Sequence, residues 1–220
     1  MRVNLWRARR QRGADGFTLI EMVISVAILG IVSAALFEVV FQYAKTTGDT
    51  GARLAESTDQ QFISTRWQDD VSSLGRRTFN AATGTFSTDQ SVFVGGGGPG
   101  SCGSSVGSVA VTLAWNEFAV GVAPAADPWV STPHQVAYVT VPNGTRFLLQ
   151  RVRCKNGATV GLPVTVAHNL TGIPTISCDT TCGATTPPDR VSMTFTVKDA
   201  AHPTSQGYTT TVSADRRQEK

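Results

Sequence analysis

Charge is scarce in this chain. Only 16% of its 220 residues are Asp, Glu, Lys or Arg, against a usual quarter. Yet 41% are hydrophobic, which excludes a highly charged disordered chain. Gly and Pro together number 31, too few for a fibrous or linker protein. Lysine is nearly absent, with four against 15 arginines. The net charge of +3 belongs to the first 16 residues, which hold Arg2, Arg7, Arg9, Arg10 and Arg12 against Asp15. The remaining residues carry a net −1, which excludes a strongly electrostatic nucleic-acid binder.

Catalytic signatures are also missing. His134, His168 and His202 are far apart and lie near loops or prolines. No strained strand-to-helix nucleophile motif accompanies them, so they read as surface histidines. Gly95–Gly98 is not followed by Gly-Lys-Ser/Thr, which excludes a phosphate-cradling loop. Asp69 and Asp70 are adjacent, so on a helix they diverge by about 100° and make a poor metal pair. Arg151, Arg153 and Lys155 share one face of an expected strand and form a short basic strip; three charges read as a solvated face. Asn143-Gly-Thr and Asn169-Leu-Thr match the glycosylation acceptor triplet, a pattern frequent by chance. No fixed-period repeat is present. The reading is no enzyme, no catalytic residue, no metal and no cofactor.

What the chain has is a basic head, an apolar run and a polar body. Met22 to Phe37 is sixteen residues without a charge, about 24 Å of helix. With Glu21 and Glu38 tolerated, the stretch extends from Phe17 to Ala44, enough for a bilayer core of roughly 30 Å. The arginines on one side place the head in the cytoplasm and the body outside. Two processing sites compete. Val32-Ser33-Ala34 offers an ordinary signal peptidase cut near Ala34, which would release a soluble exported binding domain. The other cut falls before the apolar run, after Gly16.

Beyond Lys45 the helical pattern continues without proline to Leu74. Ile63, Trp67, Val71 and Leu74 are spaced 4, 4 and 3, which aligns them on one face, with Leu54 and Phe62 flanking it. Such a stripe packs on a sheet. Gly48 and Gly51 are candidate soft points, and Gly75 is a helix stop. Unbroken from Thr18 to Leu74, the helix would measure about 85 Å. Strands are expected after residue 80, favoured by 28 Thr and 25 Val. Val109, Val111, Leu113 and Trp115 alternate as a half-buried strand. Gln135–Val141 and Thr145–Cys154 flank Pro142-Asn143-Gly144 as a hairpin. Val191–Lys198 and Tyr208–Ser213 form a closing hairpin, and the tail from Ala214 is expected to fray. The fold class is α+β, a long N-terminal helix on an antiparallel sheet. Cys102, Cys154, Cys178 and Cys182 all lie in the outer body, where two disulfides are favoured over zinc. Three pairings are possible; the preferred one closes a local Cys178–Cys182 loop and staples the Gly-rich loop through Cys102–Cys154.

The string Gly16-Phe17-Thr18-Leu19-Ile20-Glu21, between a basic head and an apolar helix, resembles the signal of type IV pilins and type II secretion pseudopilins. The resemblance implies cleavage between Gly16 and Phe17 by a prepilin peptidase and N-methylation of Phe17. It implies that Glu21 pairs with the Phe17 amine of a neighbouring subunit during assembly; a carboxylate in lipid needs such a partner. Glu38 has no such role and reads as solvated or interfacial. The implied organisation is a leader over 1–16, a membrane and fibre-core helix over 17–44, its amphipathic continuation over 45–75, an extracytoplasmic β-rich domain over 76–213 and a charged tail over 214–220. The implied partners are other pilin or pseudopilin subunits, the peptidase, the membrane and the assembly platform. The implied location is the cytoplasmic membrane, single-pass, then an extracytoplasmic fibre. The size of the mature chain favours a minor subunit, and the body is similar to minor pseudopilins, the J-type in particular.

Overall fold

The computed structural model describes residues 16–118, 130–200 and 207–217. His202 and the leader before Gly16 lie outside them. Among the described residues one α-helix, α1 (Leu19–Ser72), comes first. It contributes to two compact units, one reaching Gly48 and the other beginning at Asp49. The helix contains no proline, and Gly48 and Gly51 do not interrupt it, at a cost of about 1 kcal/mol each relative to alanine. Its C-terminus closes locally: the Ser72 and Ser73 hydroxyls donate to the Asp69 carbonyl at 2.8 and 3.0 Å. Gly75 then takes a φ of +143°, open to glycine, and its N–H donates to the Ala114 carbonyl.

In the second unit the strands begin earlier than expected, at Arg76. β1 (Arg76–Asn80) and β2 (Thr85–Asp89) form a separate hairpin. The main sheet holds nine strands: β3 (Val92–Val94), β4 (Ser108–Phe118), β5 (Ser131–Asn143), β6 (Arg146–Lys155), β7 (Ala158–Thr159), β8 (Val164–Leu170), β9 (Thr175–Cys178), β10 (Arg190–Val197) and β11 (Tyr208–Asp215). Its path is β11-β10-β8-β6-β5-β4-β3, with β7 on β6 and β9 on β10. All these pairings are antiparallel.

The four stripe residues Ile63, Trp67, Val71 and Leu74 are buried against one face of this sheet, with Val111, Leu113, Val136, Tyr138, Leu149 and Met193. Burying each such side chain is worth about 1.5–3 kcal/mol. The opposite face has its own smaller cluster of Ala137, Val139 and Val152 around Cys102 and Cys154. β5 is therefore buried on both faces along its centre.

That second cluster corrects the reading of β4. Val109 does not share a face with Val111, Leu113 and Trp115. A bulge between Val109 and Val111 inserts one residue and sends Val109 to the Cys102 side. The hairpin turn is also displaced. Asn143 pairs with Arg146 as the last residue of β5, so the turn is Gly144-Thr145, with Gly144 at φ +63°. The Asn-Gly turn with both angles positive is Asn156-Gly157, at +51° and +77°, which joins β6 to β7. The tail does not fray at Ala214. β11 runs to Asp215, the Arg216 side chain bonds Asp189 at 2.8 Å, and the Arg217 N–H reaches the Ser72 carbonyl.

Candidate functional site

The first candidate site is the start of α1. Thr18 lies just before the helix, and its Oγ1 accepts the Glu21 N–H at 3.3 Å. The Met22 N–H reaches the Thr18 carbonyl at 3.2 Å. Thr18 is thus the N-cap, and Glu21 is the third helical residue, the Thr-x-x-Glu spacing of a capping box. That spacing was legible in the sequence and was missed. The helix's positive end favours a carboxylate there. Among the described residues the Glu21 carboxylate has no ion-pair partner. Gly16 stands in open space, with nothing within 4 Å of where a Cβ would lie. Packing among the described residues does not require glycine at that position.

From Leu19 to Gly51 the helix is long and apolar enough to cross a membrane. Its large apolar side chains are exposed, from Phe17, Leu19 and Ile20 to Phe41 and Tyr43. A helix apolar all round is made for lipid or for other helices. Glu38 is exposed within it.

The second constellation fixes the remainder of α1 to the sheet. Asp70 is 3% exposed and faces Arg151 of β6, which donates through Nε at 2.7 Å and Nη2 at 2.5 Å. The Tyr138 hydroxyl donates to the same carboxylate at 2.8 Å. Burial first, and then the Asp70 charge, push the Tyr138 phenol well above its ordinary range. The hydrogen bond to Asp70 raises Arg151 against the opposing effect of burial. Trp67 meets Tyr138 edge to face at 5.1 Å, and its indole N–H donates to the Val191 carbonyl at 3.1 Å. Nearer the start of the packed part of α1, Asp59 accepts the His168 backbone N–H at 2.8 Å, and Gln60 donates to Thr210 at 3.0 Å.

These contacts revise two expectations. Arg151 is not part of a solvated strip, because Asp70 neutralises it; Arg153 and Lys155 remain exposed. His134 is not a surface histidine. It stacks on Trp115 at 5.7 Å and sits 3.1 Å from Glu117. His168 is exposed but tied to Asp59.

Two disulfides hold the body, Cys102–Cys154 and Cys178–Cys182. The first lies over the outer face of the sheet, where Gly103 and Gly107 approach β5 so closely that a Cβ would meet Val139 at 2.7 Å and the Thr140 carbonyl oxygen at 2.5 Å. Among the described residues no group of three or more His, Cys, Asp or Glu could hold a metal.

Compared with known families, residues 10–37 match the prokaryotic N-terminal methylation motif, a type IV pilin-like prepilin signal. The match spans the residues on either side of Gly16 and the first half of the apolar helix. Comparisons with curated proteins and with solved structures found no match.

Proposed function

We propose that this chain is a structural subunit of a type IV pilus-like or type II secretion fibre, made as a preprotein and cut between Gly16 and Phe17. The observation that carries the reading is the coincidence of the methylation motif with the helix start. Thr18 caps α1 and sets Glu21 in its first turn, with no ion-pair partner among the described residues. Gly16 fits the same reading, since no described residue lies within 4 Å of where its Cβ would be and a peptidase site asks for glycine there.

In this account the apolar helix holds the chain in the cytoplasmic membrane and later lies in the fibre core among other subunits' helices. Phe17 becomes the methylated N-terminus. Glu21 draws in the amine of a neighbour's Phe17, because an unpaired carboxylate among apolar helices is costly. The chemistry is processing and assembly, with no catalytic step by this chain. The large disulfide-bonded sheet favours a minor subunit that starts or caps the fibre, in the manner of the J-type pseudopilins. The partners are the prepilin peptidase, other subunits and the assembly platform.

The experiment is Glu21→Ala in the producing cell. The variant should still insert and be cut, yet be lost from the sheared fibre fraction. Undiminished incorporation contradicts the assembly role of Glu21.

A further inference from the structure

Among the described residues outside α1, the most exposed large apolar side chain is Leu162, at 88%. It sits in the connection from β7 to β8 between Val160 and Val164, themselves 50% and 45% exposed. The run Val160-Gly161-Leu162-Pro163-Val164 has no hydrogen-bonding side chain. Gly161, at φ +76°, turns the chain so that Leu162 stands at the tip. This loop is anchored on β6: the Val160 N–H donates to the Arg153 carbonyl at 2.8 Å, and Val164 pairs with Arg151.

The register places the remaining bases of the strip beside the loop. Lys155 pairs with Ala158 and Cys154 with Thr159, so Arg153 lies opposite Val160. Residues opposite each other in an antiparallel pair project from the same face. Arg151 on that face is spent on Asp70, whereas Arg153 and Lys155 are exposed. Glu117, on β4 beyond β5, lies 3.1 Å from His134 and is largely exposed; it is the acid nearest this strip on that face. The contacts of α1 advance from Asp59 at His168 on β8, past Asp70 at Arg151 on β6, to Gly75 at Ala114 on β4, so the helix crosses β6 at Arg151 and leaves Arg153 and Lys155 exposed.

We propose that this loop, with Arg153 and Lys155, docks the body on an anionic lipid surface. Val160, Leu162 and Val164 enter the headgroup and acyl boundary while the two cations meet lipid phosphates. A protein partner is the less fitting occupant. Protein interfaces centre on desolvated anchors in packed pockets and need roughly one hydrogen bond per 100–200 Å²; this loop has no aromatic and no hydrogen-bonding side chain, and Arg153 stands at its rim, not its centre. A bilayer asks only for apolar volume at the tip and positive charge at the rim.

The test uses the full chain reconstituted through its own apolar helix into phosphatidylcholine nanodiscs. Separate vesicles of phosphatidylcholine, with or without phosphatidylglycerol, are added and floated on a density gradient. The chain should float with the anionic vesicles, less so in high salt, and not with the neutral ones. Leu162→Asp should lower the binding by roughly tenfold or more. Arg153→Gln with Lys155→Gln should lower it by about fivefold per charge removed. All are exposed, so thermal melting should be unchanged. Equal flotation with neutral vesicles, or variants without effect, overturns the proposal. Absence of flotation with either vesicle also overturns it and leaves the loop to a protein partner. The five leader arginines favour anionic vesicles by themselves, so wild type and variants are compared with the same N-terminus; the difference between them reads the loop however the leader is processed, and this proposal and the fibre reading fail separately.

Discussion

Asp70 and Arg151 form a buried two-bond ion pair across 81 residues of sequence, Nε to Oδ2 and Nη2 to Oδ1. It joins the last full turn of α1 to the middle of β6. A buried pair adds little net stability over apolar packing, but losing one partner strands a charge. Asp70→Ala should therefore destabilise the body by about 3–5 kcal/mol. Asp70→Leu with Arg151→Met and Tyr138→Phe should recover most of that loss, the third change removing the hydroxyl that donates to Asp70. Urea unfolding of both variants checks the contrast, and equal losses would refute it.

Tyr138 shares that carboxylate. Its phenol is raised in the folded chain by burial first and then by Asp70, so its contribution is complete below the unfolded tyrosine pKa of about 10. It is lost as pH climbs from there through the folded value. The body should weaken on the alkaline side, and Tyr138→Phe should flatten that weakening. At neutral pH the same variant should cost about 1.5–3 kcal/mol for a hydrogen bond to a charged group. Melting temperatures of both chains from pH 7 to 11 provide the comparison.

Trp67 is fully buried and bonded to Val191. Trp67→Ala should cost about 3–5 kcal/mol. Trp67→Phe should cost less, keeping most of the apolar area and losing the indole donor. Urea midpoints of the two variants rank them.

The two disulfides close loops of very different size, with sequence separations of 52 and 4. By chain entropy the first should contribute about 4 kcal/mol and the second about 2 kcal/mol. Replacing Cys102 and Cys154 by serine should therefore lower the urea midpoint more than replacing Cys178 and Cys182. Gly103→Ala should also loosen that loop, since glycine sits there at φ +79° against Val139.

The helix and its packing face were readable because periodicity survives in one dimension. Ile63, Trp67, Val71 and Leu74 announce a stripe whatever they touch, and the structure buries all four. Asp70 was not readable. Beside Asp69 it looks like a solvated helix acid, and only the register of β6 brings Arg151 to it. The bulge at Val109 was hidden because a valine on either face of β4 keeps the same alternation until one residue is inserted. Asn143-Gly144 misled for a related reason: Asn-Gly marks a tight turn, but the pairing of Asn143 with Arg146 moved the turn on by one residue. Asn156-Gly157 carried the same signal and was overlooked. At the N-terminus the motif was legible whole, because its meaning lies in contiguous residues and not in tertiary contacts.

The central claim is the cut between Gly16 and Phe17. It is tested most directly by intact mass and N-terminal sequencing of the chain extracted from membranes, with and without a prepilin peptidase. The account predicts a chain that begins at methylated Phe17 only when the peptidase is present. A chain beginning at Ala35, formed without that peptidase, would contradict it.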